Sequence, residues 1–168
     1  IMKLDVSELL KREKAVKELH LEVNKKSFYD GSETIQLLQP IKLDGTLTKL
    51  GDILTLNCDI NTVLELTCSR CLQKFGYSVD MTIEEEFTNS EKANKDGDVI
   101  FIDSDTIDIT EVIENNIILT LPIQRLCKEH CKGLCHRCGT DLNLSTCECE
   151  KDDIDPRLAK LKDMFSID

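Results

Sequence analysis

From Ile41 to Phe87 apolar and polar residues alternate almost without a break. Side chains of a strand alternate between two faces, so this pattern admits little except half-buried β-sheet. Ile41, Leu43 and Leu47 hold one parity against Lys42, Asp44, Thr46 and Thr48. After a turn at Leu50-Gly51-Asp52, Leu54, Leu56, Cys58, Ile60, Leu64 and Leu66 share one face. Phe75, Tyr77, Val79, Met81, Ile83 and Phe87 repeat the pattern after a second break. The expectation is an antiparallel meander with one face buried. Its second connection, about Thr67 to Lys74, carries Cys68 and Cys71.

Those two belong to a larger set. Eight of nine cysteines read Cys68-x2-Cys71, then Cys127-x3-Cys131-x3-Cys135-x2-Cys138-x8-Cys147-x-Cys149. The ninth, Cys58, lies in mid-strand on the apolar parity, where a free thiol behaves as a small hydrophobe. Two C-x2-C pairs, with further cysteines to complete each site, suit tetrahedral thiolate sites for Zn2+, two ions in all. Cys135 and Cys138, followed by Gly139, form the strongest pair. Cys147 and Cys149 are placed to close that site, which leaves Cys68, Cys71, Cys127 and Cys131 for the other. Spacing alone does not fix this partition. It does not separate zinc from iron either, and His130 or His136 would serve as a substitute ligand. A redox dithiol at Cys68-Ser69-Arg70-Cys71 would normally open a helix in a βαβ unit, whereas this pair tips a hairpin.

The remaining segments set the context. Ser7-Glu8-Leu9-Leu10-Lys11-Arg12 predicts a short helix capped by Ser7, and Leu19, Leu21 and Val23 predict a strand with His20 on its polar side. Asn89 to Asp98 reads as a loop and Val99-Ile100-Phe101-Ile102 as a short buried strand. Asp108 with Glu111 forms a capping box for a helix that Pro122 ends near Leu121. Asp155-Pro156-Arg157 starts a closing helix with Leu158, Leu161 and Phe165 on one face. The fold class expected is α+β: an antiparallel sheet meander, a few short helices and a zinc-bound, cysteine-rich C-terminal segment. Residues 1–122 form the sheet domain. Residues 123–168 form the cysteine-rich segment and last helix, packed on the same domain.

Charge narrows the function. The 168 residues carry a net charge of −11, which argues against general nucleic-acid binding. The balance is uneven: eight acids and two lysines lie between Glu91 and Glu114, but four Lys or Arg, two His and one acid lie between Arg125 and Arg137. Arg70, Lys74, Arg125, Lys128, Lys132 and Arg137 are the candidate phosphate contacts. The acidic bulk suits a basic partner. No metalloprotease, P-loop, dinucleotide or nucleophile-elbow motif occurs, and four thiolates leave a metal no open position, so no enzyme is expected. Ile1 precedes Met2, the expected start, and no apolar leader or membrane-length run follows, which points to the cytoplasm. No small-molecule substrate and no membrane partner are expected.

Several motifs together resemble the YceD family, the large ribosomal RNA subunit accumulation proteins. They are Cys68-Ser69-Arg70-Cys71-Leu72, Glu84-Glu85-Glu86-Phe87 and Leu121-Pro122-Ile123. The likeness continues through Cys131-Lys132-Gly133-Leu134-Cys135-x2-Cys138-Gly139-Thr140-Asp141-Leu142-Asn143, Cys147-Glu148-Cys149, Asp155-Pro156-Arg157 and Leu158-x2-Leu161. The resemblance implies a bacterial cytosolic factor, with plastid relatives, that supports processing or accumulation of large-subunit ribosomal RNA, and it implies no defined catalytic activity. Its partners would be a basic ribosomal protein, ribosomal RNA, or both. It also implies that the site holding Cys68 and Cys71 is the more general one and the second an elaboration. From the residues alone, a zinc-thiolate protein that responds to oxidants or metal is the competing reading.

Overall fold

The computed structural model describes residues 2–90 and 99–149. The chain opens with β1 (Lys3–Asp5), α1 (Ser7–Leu10) and β2 (Lys14–Val23). A small hairpin follows, β3 (Ser27–Tyr29) and β4 (Thr34–Leu37). The long strands are β5 (Ile41–Leu50), β6 (Ile53–Thr67) and β7 (Lys74–Thr88). Then come β8 (Ile100–Phe101), β9 (Thr106–Asp108) and α2 (Ile109–Thr120).

Strands β2, β5, β6 and β7 form an antiparallel run, Val23 opposite Ile41, Leu43 opposite Ile60 and Cys58 opposite Ile83. The predicted parity holds along it. Leu54, Leu56, Cys58, Ile60, Leu64 and Leu66 are all buried, and so are Val79, Ile83 and Phe87. Strand β4 pairs with β6 beyond the end of β5, at Leu37 and Leu64, so β4 and β5 lie in line beside one long strand. Gly45 makes the tight approach of β5 to β6 possible. A Cβ there would stand 2.2 Å from the Asn57 carbonyl oxygen and 2.4 Å from the Cys58 Cβ. Ile109, Ile113 and Ile117 of α2 enter the same core as the sheet, together with Val6 and Leu9. The Asp108 carboxylate caps α2 by accepting the N–H groups of Thr110 at 3.1 Å and Glu111 at 3.4 Å.

Several expectations need correction. The first helix is one turn, and the Asp5 carboxylate, not a Ser7 hydroxyl cap, meets its start by accepting the Ser7 N–H at 2.8 Å. The strand after the acidic stretch is only Ile100–Phe101, and both residues are exposed, with Ile102 alone buried. It runs parallel to β7, so the sheet is mostly, not wholly, antiparallel. Strand β2 extends back to Lys14, and the β3–β4 hairpin has too short an alternation to stand out. Lys49 is buried at 7 % exposure on the apolar parity of β5, where its Nζ donates to the carbonyls of Arg12 and Gly51. His20 is a surface residue, as expected, and pairs with Asp44 at 2.8 Å. Most of the predicted 89–98 loop and all of the predicted closing helix lie outside the described residues.

Candidate metal centres

The tip between β6 and β7 folds as a knuckle. The Leu72 N–H donates to the Cys68 carbonyl at 3.0 Å, and the Cys68 N–H donates to the Gln73 carbonyl at 2.9 Å. Residues 135–140 repeat that pattern. Gly139 N–H donates to the Cys135 carbonyl at 2.9 Å, and Cys135 N–H to the Thr140 carbonyl at 2.8 Å. Both knuckles need a left-handed residue after the second cysteine. Gly139 supplies it at φ 74° and Leu72 supplies it at φ 60°. A leucine in that conformation carries a steric cost that glycine avoids.

The tail brings the partners. Cys127 and Cys131 join Cys68 and Cys71, while Cys147 and Cys149 join Cys135 and Cys138. Within each quartet all sulfurs lie within 4.8 Å of one another. Cys68 and Cys131 are 3.8 Å apart, and Cys71 and Cys127 are 3.6 Å apart. A single ion with four sulfurs at about 2.3 Å and tetrahedral angles requires sulfur separations of about 3.8 Å. These two separations in the first quartet match a one-ion tetrahedral site. The partition favoured by spacing is the one found. His130 and His136 are exposed and belong to neither quartet, and Cys58 is buried in the sheet core.

The peptide groups already favour thiolate. The N–H groups of Cys71, Cys127 and Arg70 point at the Cys68 sulfur and, against the opposing effect of burial, bring its pKa down to about 6. The equivalent N–H groups of Cys138 and Arg137 lower Cys135. Hydrogen bonds from the hydroxyl and N–H of Thr140 bring Cys138 down to about 6. Burial, reinforced by hydrogen bonding to Cys71, pushes Cys127 up to about 12. Hydrogen bonding to Cys138 with burial does the same to Cys149, about 12. Each quartet thus combines a sulfur that sheds its proton with one that keeps it. A cation that binds all four displaces the remaining protons, so binding weakens as pH falls.

Residues that spacing did not assign support the first centre. Asn143 donates from Nδ2 to the Cys131 sulfur at 3.4 Å, and its Oδ1 accepts the Lys132 N–H at 2.9 Å. Asp141 accepts the Asn143 side chain at 2.7 Å and, on its other oxygen, the Gln73 amide at 2.9 Å. One Asp-x-Asn turn in the outer knuckle's loop therefore fixes both a sulfur of the inner centre and the hairpin tip. Gly133, at φ 75°, lies so close to Arg70 that a Cβ would approach its carbonyl oxygen to 3.0 Å. The two centres differ in setting. Cys68, Cys71 and Cys131 are buried, but Cys138 is exposed, and a cavity lined by Leu134, Leu142 and Thr146 opens onto Cys135, Cys147 and Cys149.

The six candidate phosphate contacts fall into two groups. Arg70 donates to the Cys131 carbonyl at 2.9 Å, and Lys74 pairs with Glu65 at 2.6 Å. Arg125 is only 17 % exposed and pairs with Asp30 at 2.6 Å and with Glu33. The Arg125 carbonyl also accepts the Ser69 N–H at 2.7 Å, so this residue seats the tail against the hairpin tip. Lys128, Lys132 and Arg137 are exposed around the two centres.

Among the described residues no helix is long and apolar enough to cross a membrane. No solved structure gives a significant match to the chain. A Bacillus subtilis protein, "Uncharacterized protein YlbN", is 27 % identical over 157 residues, covering 85 % of this chain and 91 % of its own length. The Mycobacterium tuberculosis "Uncharacterized protein Rv2926c" is 32 % identical over 172 residues, 98 % of this chain and 81 % of its own. An Arabidopsis thaliana protein, "Large ribosomal RNA subunit accumulation protein YCED homolog 1, chloroplastic", is 25 % identical over 146 residues, 69 % of this chain and 46 % of its own. Residues 56–165 match the family described as "Large ribosomal RNA subunit accumulation protein YceD", a span that takes in most of β6, all of β7 and α2, and the eight cysteines of the two quartets. The chain belongs to the YceD family.

Proposed function

We propose that this protein is a non-enzymatic, cytoplasmic factor in large-subunit ribosome biogenesis that supports the accumulation of large-subunit ribosomal RNA. In this reading each cysteine quartet holds a structural zinc ion. The carrying observation is the saturated donor set: four sulfurs within 4.8 Å of one another in each quartet would fill a tetrahedral ion and leave no position for a substrate or an activated water. Family membership supports the ribosomal role. Zinc at the first centre ties the β6–β7 tip to the tail and holds Lys128, Lys132 and Arg137 on one exposed surface that contacts ribosomal RNA. The acidic sheet favours a basic ribosomal protein. Depletion of the protein is expected to lower large-subunit ribosomal RNA and leave its precursors behind. Unchanged levels would rule the role out. For the RNA surface, reversing Lys128, Lys132 and Arg137 to Glu is expected to weaken RNA binding and lower its salt slope by about one per charge. Equal binding would remove that surface.

The exposure of Cys138 supports a second reading, a zinc-thiolate protein that releases metal on oxidation. Native mass spectrometry before and after mild peroxide separates the two. Retention of both ions favours the structural role, and loss of the outer ion favours the responsive one.

A further inference from the structure

Strand β7 is paired on one side only over most of its length. Strand β6 takes all of it, from Lys74 opposite Thr67 to Thr88 opposite Ile53. On the other side β8 takes only Phe87 and Thr88. Among the described residues, then, the main chain from 74 to 86 presents alternate N–H and C=O groups with no strand against them. At about 3.4 Å per residue, that edge is roughly 40 Å long. The helix beside it is joined through side chains: Asn116 donates to Glu85 at 2.7 Å and the Thr120 hydroxyl meets the Met81 sulfur at 3.8 Å. An open edge of this length is a template for another strand unless charge guards it.

The charge is of one sign. Asp80, Glu84 and Glu86 are exposed on the outer face of β7, and Asp59 on β6 is exposed beside them. The only Lys or Arg in β6 and β7 is Lys74, and Glu65 already pairs with it at 2.6 Å. Two copies of β7 side by side would set these acids against each other, and like charges on neighbouring strands are destabilising. The same acids would favour a strand bearing Lys or Arg. The sheet's other long edge, β2, carries Lys14 and Lys17 beside Glu18 and Glu22, so it selects neither sign.

We propose that the open edge of β7 takes up an extended basic segment of a partner protein as an added strand. Side chains on successive residues of that segment face opposite ways. Lys or Arg at every second position would lie over Asp80, Glu84 and Glu86. The residues between would be apolar and lie toward Tyr77 and Met81, both half-buried on the inner face. Main-chain bonds give the affinity, and the acids give the choice of partner. Only the partner's ribosomal identity rests on the function proposed above; the edge and its charge stand without it.

Hydrogen exchange of the full-length, metal-loaded protein tests this, with a synthetic 11-residue peptide alternating lysine and valine as the probe. Amides of β7 between 75 and 86 are expected to exchange at least about tenfold more slowly with peptide bound, and those of β2 at an unchanged rate. Glu84→Lys with Glu86→Lys should abolish the protection, and Glu18→Lys with Glu22→Lys should not. The same peptide N-methylated at every backbone amide keeps its charge but has no N–H donor on either edge, and it should not bind. Absence of protection in β7, protection of β2 in its place, or equal binding by the methylated peptide would each overturn the proposal. None of these results bears on ribosomal RNA levels after depletion, so the two readings fail separately.

Discussion

Leu72 and Gly139 hold the same left-handed position in two knuckles with the same hydrogen bonds, yet only one is a glycine. Leu72 is 65 % exposed, so its side chain contributes little packing. Leu72→Gly relieves a strain of about 1–2 kcal/mol and adds unfolded-state freedom worth about 0.4–1 kcal/mol. Denaturant unfolding is therefore expected to show a variant as stable as the parent or up to about 1.6 kcal/mol more stable. A variant less stable than the parent by about 0.4–1 kcal/mol would mean that Leu72 is not strained. At Asn143, truncation to alanine removes the donor to the Cys131 sulfur. Ligand-supporting groups of this kind are worth about 10–100-fold in metal affinity. Chelator competition should show that loss at the inner centre and little at the outer one. The sequence singles out the eight clustered cysteines and sets Cys58 apart, because spacing and parity are both local signals. It gave Leu72, Asp141 and Asn143 no structural role, because a backbone angle and a second contact to sulfur leave no mark in residue type.

At the scale of elements, the β3–β4 hairpin clamps the tail through Asp30 and Arg125, 5 % and 17 % exposed. Removing one partner of a pair this buried strands the other, so Arg125→Ala is expected to cost about 3 kcal/mol. Burial pushes the Asp30 carboxyl up, but bonds from Arg125 and Ser32 outweigh it and hold the pKa below the ordinary 3.8. A depressed folded value means that this stabilisation is complete above the unfolded value and is lost as pH falls through the folded one. Unfolding of parent and Arg125→Ala should differ most near neutral pH and converge below about pH 4. No convergence would remove the pair as its cause. The long strands β5 to β7 could be read because alternation over many residues is redundant. Strands of two to four residues give no such redundancy, so β3 and β4 were missed and Ile100–Phe101 was placed in the interior. Gly45, by contrast, carried a signal in mid-strand: only a missing Cβ admits the Asn57 carbonyl so close.

Among the described residues the whole molecule has two buried clusters, with Phe75 packed against both. One is the sheet core closed by Ile109, Ile113 and Ile117; the other is a small group of Cys68, Cys71 and Cys131 with Phe75, Leu126, Cys127 and Leu134 around it. The second contains little apolar surface, so in the proposed reading a bound ion holds it together. Structural zinc supplies on the order of 10 kcal/mol at neutral pH. Chelation is expected to speed amide exchange at 68–73 and 127–149 and to leave β5 and β6 between 54 and 64 protected. Collapse of both regions together would show that the sheet depends on the metal too. That eight cysteines make two sets of four was legible from their spacing, but their partition was not fixed by it, and the seating of the tail by Arg125 depends on contacts 92 and 95 residues away in sequence. In the proposed reading the eight cysteines form two one-ion centres. Counting ions by native mass spectrometry tests it most directly: two per chain in the parent and in Cys58→Ser, one in Cys71→Ser and one in Cys138→Ser. A single ion in the parent, or loss of an ion in Cys58→Ser, would contradict it.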